Sequence, residues 1–205
     1  MTYRVFSAQA MAYAEKRGCA GCELYCASGE SFAANASGGE IDRYSVSREA
    51  GVSVRVSFGG HEGYAYTEAM EEPERLVDRA VDNAACIESV DEHPMQTARP
   101  YQEVSREDSA LKNLSEYERI ELAKRLESLC LNADPRVQRV VYCTAAYDAG
   151  SVIMENSLGL HAEKSLNGSV IYAIPSVKEG DEVQTGFAFR IDRKSTRLNS
   201  SHVSQ

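Results

Sequence analysis

The chain contains 205 residues, of which 43% are apolar and 26% are charged, with five prolines and no tryptophan. This composition excludes a disordered chain, and no apolar run approaches the roughly 18 residues that a membrane-spanning helix needs. The 22 basic and 31 acidic side chains give a net charge of −9. That charge argues against binding to nucleic acid or anionic lipid, because phosphate contacts need clustered Lys and Arg.

The first predicted element is a helix. Ser7 is a candidate N-cap, and Gly18 is a candidate C-terminal stop. Between them, Ala10, Tyr13 and Ala14 recur at helical spacing and predict the buried face.

Antiparallel strands are predicted next. Cys22, Leu24 and Cys26 alternate with polar residues, as in a strand with one buried face. Ser28-Gly29-Glu30 and Ser37-Gly38-Gly39 are rich in turn-forming residues, so we expect a turn at each.

A hairpin follows these strands. Alternating apolar residues from Tyr44 and Val46 through Val52 to Phe58 predict strand structure packed on one face. Gly59-Gly60 predicts a tight turn, after which Gly63-Tyr64-Ala65-Tyr66 returns as the partner strand.

Two further helices are predicted on either side of a connecting loop over 89–109. Pro73 suits the first turn of a helix, and its apolar stripe consists of Leu76, Val77, Ala80, Val81 and Ala84. Ser115 and Glu118 form a capping box at the start of the last helix, which Asp134-Pro135 ends. The expected buried stripe of this helix is Leu122, Ala123, Leu126, Leu129 and Cys130.

The second half repeats the order of helix and strands. Strands are predicted from Val137 onward, with turns at Asp148-Ala149-Gly150, Asn156-Ser157-Leu158-Gly159, Asn167-Gly168 and Glu179-Gly180-Asp181. Gly186-Phe187-Ala188-Phe189 echoes the return strand of the first half, which indicates an internal duplication. The predicted fold class is therefore α+β, with antiparallel sheets covered by helices in a unit that occurs twice.

Four segments follow from this reading. We predict an N-terminal domain over 1–90, a connecting loop over 91–109, a central domain over 110–191, and a tail over 192–205 that is not native. The tail lacks periodicity and resembles translated sequencing-adapter DNA, which implies a coding sequence that continues beyond Ile191. The alternative is a flexible basic tail.

The compartment is predicted to be the cytoplasm. The first twelve residues have neither the basic start nor the apolar stretch of a signal peptide. In that reducing environment we expect all six cysteines to be free thiols.

The cysteines give the most suggestive chemical motif. Cys19-Ala20-Gly21-Cys22, with Cys26 following, has a spacing that can bind zinc or form a redox pair. The remaining cysteines are isolated, however, and Cys22 and Cys26 share a strand face with Leu24. We therefore favour buried core cysteines over a metal or redox site.

The other candidates are weaker. His61-Glu62 begins like a zinc-protease helix, but it lies beside a predicted hairpin turn, and no second histidine follows at ligand spacing. Glu71-Glu72 and Asp91-Glu92 are more typical of solvated acidic pairs than of a catalytic dyad. The sequence thus predicts no catalytic, cofactor-binding or metal-binding residue.

Several of these segments resemble the TldD/PmbA family of metallopeptidases and their paired subunits, once named modulators of DNA gyrase. The resemblance begins at Gly51-Val52-Ser53-Val54-Arg55-Val56 and continues through Gly63-Tyr64-Ala65-Tyr66 and the helix that begins at Pro73. Further matches are Ala133-Asp134-Pro135-Arg136-Val137, Asn156-Ser157-Leu158-Gly159 and Thr185-Gly186-Phe187-Ala188-Phe189-Arg190. Together they extend over nearly all of residues 5–190.

The resemblance implies a role in proteolysis. TldD-type members carry a His-Glu-x-x-x-His zinc motif after the matched region, and this sequence contains no such motif. The second half is more similar to the PmbA type, also called TldE, which pairs with a zinc-bearing TldD subunit to enclose a chamber for unfolded peptides. The resemblance therefore implies an N-terminal fragment of a TldE-like subunit that is inactive alone, with zinc in its partner.

Two alternatives remain open. The chain is a stand-alone, non-catalytic binding domain, or its continuation carries the zinc motif and the whole protein is an enzyme. Arg55 is a candidate for an ion pair at an interface or for an outward-facing charge. Tyr64, Tyr66, Phe187 and Phe189 are candidates for lining a peptide channel or for ordinary cross-strand packing.

Overall fold

A computed structural model describes residues 1–87, 93–101 and 104–192. In chain order, its helices and strands are α1 (Tyr3–Lys16), β1 (Gly21–Ser37), β2 (Glu40–Phe58), β3 (His61–Thr67), α2 (Pro73–Ala85), β4 (Val104–Arg106), α3 (Ser109–Lys112), α4 (Glu116–Leu131), β5 (Val137–Asn156), β6 (His161–Glu179), β7 (Glu182–Thr185) and β8 (Ala188–Asp192). No helix within these described ranges is long and apolar enough to cross a membrane.

The strands pair in the order β3-β2-β1-β5-β6-β4, and β7 and β8 also pair with β6. The β2–β3, β6–β7 and β6–β8 pairs are antiparallel. This architecture confirms the predicted α+β class.

The chain divides into two compact units. Unit 1 comprises the described residues of Met1–Gly29, Arg48–Ser105 and Gly150–Ser165, and unit 2 comprises those of Glu30–Ser47, Arg106–Ala149 and Leu166–Gln205. The long strands β1, β2, β5 and β6 each supply residues to both units. The units are therefore discontinuous in sequence, whereas the domains predicted over 1–90 and 110–191 are continuous.

In unit 1, helices α1 and α2 pack on one face of the sheet. Val52, Val54 and Val56 on β2 are fully buried, and they belong to one core with the buried faces of both helices. Gly63 on β3 lies so close to α2 that an added Cβ would collide with the Ala80 carbonyl and with Ala84. Glycine at this position thus sets how closely the helix approaches the sheet.

In unit 2, helix α4 buries a partly charged face. The predicted capping box of Ser115 and Glu118 is present. The fully buried positions of α4, however, are Arg119, Ala123 and Glu127. The predicted apolar stripe is wrong at two positions, since Leu122 and Leu129 are exposed. These three residues are spaced by four, as in a helical stripe, but the charges of Arg119 and Glu127 hide the pattern from a search for apolar residues.

Several predicted boundaries differ from the structure. Helix α1 begins at Tyr3 with Thr2 as N-cap, and Ser7 lies buried inside it, where its hydroxyl donates to the Arg4 carbonyl. The turns predicted at residues 28–30, 148–150 and 167–168 are absent, because β1, β5 and β6 continue through them. Extended strand accepts glycine and serine, so composition alone did not separate strand from turn there.

Other predictions are confirmed. The Gly59-Gly60 hairpin joins β2 to β3 with Phe58 opposite His61, and both glycines have positive φ. Helix α2 begins at Pro73 as expected, and its predicted apolar stripe is buried. Tyr44 and Val46, which were expected to pack on the buried face of β2, are exposed.

The predicted connecting loop over 91–109 contains β4 and the start of α3. Its acidic pair Asp91-Glu92 lies outside the described residues, as does the segment from residue 193 onward.

Candidate functional site

The face of the unit 1 sheet opposite α1 and α2 carries the polar and aromatic side chains. We call it the outer face and define it by Glu23 and Tyr25 on β1, Arg55 on β2, and Tyr64 and Tyr66 on β3. These residues alternate with the core residues of the same strands, so they point away from the helices. The three tyrosines are about half exposed.

Arg55 is the centre of a polar network on this face. Its guanidinium lies 2.8 Å from a Glu23 oxygen and 3.5 Å from a Glu62 oxygen, and it donates to the His93 carbonyl at 3.0 Å. The side chains of Arg55, Glu23 and Glu62 are only 15%, 8% and 16% exposed. Arg55 is therefore not a solvent-exposed charge but a largely buried partner of two carboxylates of the same unit.

The network also fixes the chain at residues 93–96. The His93 amide donates to Glu62, and the hydroxyl of Tyr64 donates to the same carboxylate at 2.8 Å. Burial opposes the charge on Arg55, but Tyr64 and the two carboxylates raise the pKa of the guanidinium overall. The cluster is thus a fixed ion pair that holds the 93–96 segment against the sheet.

Asn156, at the end of β5, joins the same network. Its side-chain oxygen accepts from the amides of Leu158 and Leu160, each at 3.0 Å, which closes the turn that contains Gly159. Its side-chain nitrogen donates to Glu23 and to the Gln96 carbonyl. The Asn156 turn noted in the sequence is therefore a structural connector, and a cavity of about 240 Å³ lies beside it.

A larger opening lies on the same unit, and none of its lining residues belongs to the Arg55 network. It is an open groove of about 920 Å³, which we call the tyrosine groove. Its lining residues come from β1, β2 and the end of β3: Tyr25, Ala27, Ser28, Gly29, Arg48, Glu49, Ala50, Gly51, Ser53, Tyr66 and Glu68.

Tyr66 lies across Gly51 and donates a hydrogen bond to a carboxylate. Its ring lies directly over Gly51, where any Cβ would collide with it. Its hydroxyl donates to Glu68 at 3.4 Å. The pKa of Tyr66 is raised, first by partial removal from water and then by Glu68 and Glu49. The groove therefore combines an aromatic wall with a negative electrostatic environment.

The sequence candidates for metal binding do not assemble into a site. Cys22 and Cys26 are buried in the unit 1 core, and burial raises the pKa of Cys22 to about 12, which disfavours the thiolate that zinc needs. His161 meets Glu155 at 2.8 Å, but no cluster of three or more metal-ligating side chains occurs across 1–87, 93–101 and 104–192.

The remaining aromatic candidates lie in unit 2. Phe187 stacks on Phe189 with 5.6 Å between ring centroids, and Tyr172 contacts Phe187 at 6.2 Å. Both phenylalanines are exposed. They therefore form a cross-strand aromatic cluster, whereas Tyr66 lines the groove of unit 1.

Comparison with known families identifies the chain. Residues 22–84 match the model for PmbA/TldA metallopeptidase domain 1, and residues 110–201 match that for the PmbA/TldA metallopeptidase central domain. The chain belongs to the TldD/PmbA family. The second match overlaps the segment 192–205, whose interpretation as a non-native tail stays a prediction.

Solved structures with the TldD/PmbA fold cover nearly the whole chain. A proposed modulator of a DNA gyrase from Thermotoga maritima has a TM-score of 0.82 at 22% identity, covering 97% of this chain and 45% of that one. TldE from Thermococcus kodakarensis has a TM-score of 0.78 at 19% identity, covering 92% and 43%. A proposed modulator of DNA gyrase from Bacteroides thetaiotaomicron has a TM-score of 0.67 at 18% identity. That match covers 92% of this chain and 44% of the other.

These identities establish the fold alone. The chain spans less than half the length of each of these structures. A search of curated proteins gives no match.

Sequence reasoning missed part of this site. The alternation in β1 predicts that Glu23 and Tyr25 lie on the polar face of the strand, but it predicts no role for either residue. Their alternation with Cys22 and Leu24 was a usable signal that both lie on the opposite face. Nothing local indicated that Tyr25 and Tyr66 would line one groove, because they belong to different strands.

Proposed function

We propose that this chain is the front part of a TldE-like subunit that takes part in proteolysis with a zinc-bearing TldD-type partner. The observation that carries the proposal is the match of two consecutive family domains in their expected order. The likeness to TldE over 92% of the chain agrees with it. The partner, the peptide substrate and the reaction belong to the proposal.

Under this proposal, the chain's own residues bind and position rather than hydrolyse. The sequence has no His-Glu-x-x-x-His motif, and the described side chains offer no set of ligands that fits zinc. When bound in the partner, zinc would activate a water molecule for attack on the peptide. The tyrosine groove is the surface that this chain offers to an extended peptide.

The test is co-expression with a TldD-type protein that carries the motif, chosen from the same source. We expect the two to co-purify and to elute together on size exclusion. The pair should cleave casein in a zinc-dependent way, and the 205-residue chain alone should not. Substituting the first histidine of the partner's motif with alanine is the control, which should abolish cleavage but preserve co-purification.

Two results would contradict the proposal. Zinc-dependent cleavage by this chain alone would show that the catalytic residues lie in it. Failure to co-purify with any TldD-type protein from its source would favour the stand-alone binding domain. A cytoplasmic location and the absence of nucleic-acid binding stay predictions, to be checked by cell fractionation and by DNA retention at low salt.

A further inference from the structure

The tyrosine groove is lined by small residues and by two tyrosines. The small residues are Ala27, Ser28, Gly29, Ala50, Gly51 and Ser53. Tyr25 and Tyr66 also line it, and they are 44% and 53% exposed. Tyr66 covers Gly51, so a main chain would have room beside Ala27, Ser28 and Gly29, and the tyrosines offer ring surface to whatever side chain it carries.

The charges of the groove favour a positive ligand. Glu49 and Glu68 contribute two carboxylates against the single guanidinium of Arg48. Both carboxylates act on the hydroxyl of Tyr66, so they lie near the aromatic wall. Glu68 accepts from the Tyr66 hydroxyl at 3.4 Å, which places this carboxylate beside the aromatic ring.

Aromatic rings add to this preference. The face of a tyrosine ring attracts a cation within about 6 Å, and a nearby carboxylate strengthens that attraction. A lysine or arginine side chain meets both requirements, because its apolar stem can cover ring surface while its charge reaches the carboxylates. The net charge of −9 for the whole chain points in the same direction.

We propose that the tyrosine groove binds a basic side chain of an extended peptide, with the cation held between the tyrosine rings and Glu68. The inference rests on the proposed function only in taking the ligand to be a peptide. Binding is measured without a partner subunit, so it can fail while co-purification with a TldD-type protein succeeds, and the reverse also holds.

Calorimetric titration of the 205-residue chain tests the proposal. The probes are the blocked pentapeptide acetyl-Ala-Ala-Lys-Ala-Ala-amide and its analogues with Gln or Glu at the centre. We expect the Lys peptide to bind at least about fivefold more tightly than the Gln peptide, and the Glu peptide to bind most weakly. Raising the salt concentration should weaken only the Lys peptide.

Matched variants locate the site. Tyr66→Ala and Glu68→Gln should each weaken binding of the Lys peptide by about three- to tenfold. Tyr64→Ala is the aromatic control, because Tyr64 lies on the same strand and face but does not line the groove. Glu71→Gln is the charge control, three residues beyond Glu68. Both controls should bind like the wild type.

Several outcomes would overturn the proposal. Equal affinity for the Lys, Gln and Glu peptides would show that the groove has no preference for a positive charge. No binding of any peptide would show that the groove is not a peptide site. Equal losses in Tyr66→Ala and Tyr64→Ala would place binding elsewhere on the outer face. Tyr66→Phe separates loss of the ring from loss of the fold, because it keeps the ring over Gly51. It should retain the affinity for the Lys peptide to within about twofold.

Discussion

Replacing Glu127 on α4 should loosen the hairpin turn between β1 and β2. Glu127 is only 2% exposed, and its two oxygens accept from the amides of Gly38 at 2.6 Å and Gly39 at 2.9 Å. Both glycines have positive φ, so the turn presents two adjacent N–H groups to one carboxylate. The helix thereby fixes a turn that lies 89 positions earlier in the chain.

The magnitude follows from these two bonds. A hydrogen bond to a charged group contributes about 1.5–3 kcal/mol, less where the donor can reach water. Glu127→Gln keeps the shape but removes the charge and one acceptor, so we expect a loss of about 1–3 kcal/mol in the free energy of unfolding. With a urea slope of about 1–3 kcal/mol/M, the midpoint should fall by roughly 1 M.

Urea unfolding followed by circular dichroism gives the midpoint, and amide hydrogen exchange reports on the turn itself. Exchange at Gly38 and Gly39 should accelerate in Glu127→Gln. Glu121→Gln is the matched control, because Glu121 is an exposed residue of the same helix. A Glu127→Gln midpoint that equals that of the control, with both glycine amides still protected, would refute the reasoning.

Three further predictions concern packing, thiol reactivity and pH. Gly63→Ala should cost at least about 1–3 kcal/mol in urea unfolding, because its Cβ would overlap α2. Iodoacetamide at pH 8 should label the exposed Cys86 in the native protein, whereas Cys22, whose pKa burial raises to about 12, should react only after unfolding. Hydrogen bonds from Arg136 lower the pKa of Asp134 to about 2, so NMR titration should show this carboxylate charged down to that pH.

The Asp134–Arg136 pair should make the stability of the fold depend on pH. Because the pKa of Asp134 is lower in the folded chain than in the unfolded chain, the pairing stabilises the fold above about pH 4. That contribution is lost as the pH falls from about 4 toward 2. Arg136→Gln should move the pKa back toward its ordinary value, and Arg139→Gln, at an exposed position on the following strand β5, should leave it unchanged.

Gly186→Ala is the control for Gly63→Ala, and Cys86 is the reference for Cys22. Gly186→Ala should be tolerated, since the nearest atom to its added Cβ is Pro175 Cγ at 3.8 Å. An unfolding midpoint for Gly63→Ala as high as that of Gly186→Ala would show that α2 does not press on β3. Labelling of Cys22 in the native protein at the rate of Cys86 would contradict its burial.

Glycine shows how much the sequence could predict about the fold. At Gly38, Gly39, Gly59, Gly60, Gly159 and Gly180 the predicted turns exist, and each glycine has positive φ. At Gly29 and Gly150 the predicted turns are absent, because both residues lie within long strands. The same residue type serves both conformations, so its local sequence did not distinguish them.

The sequence by itself determined the elements that depend on neighbouring residues, and it determined the family. The Gly59-Gly60 hairpin, the apolar stripe of α2 and the Ser115 capping box are each encoded within a few positions, where backbone preference and periodicity act. Only the tertiary structure decided which charges are buried and which side chains share the groove. Arg55 pairs with Glu23, and Glu127 accepts from Gly38, only after strands and helices pack, because a buried charge needs partners that local sequence does not reveal. Tyr25 and Tyr66 line one groove for the same reason, since they lie on different strands.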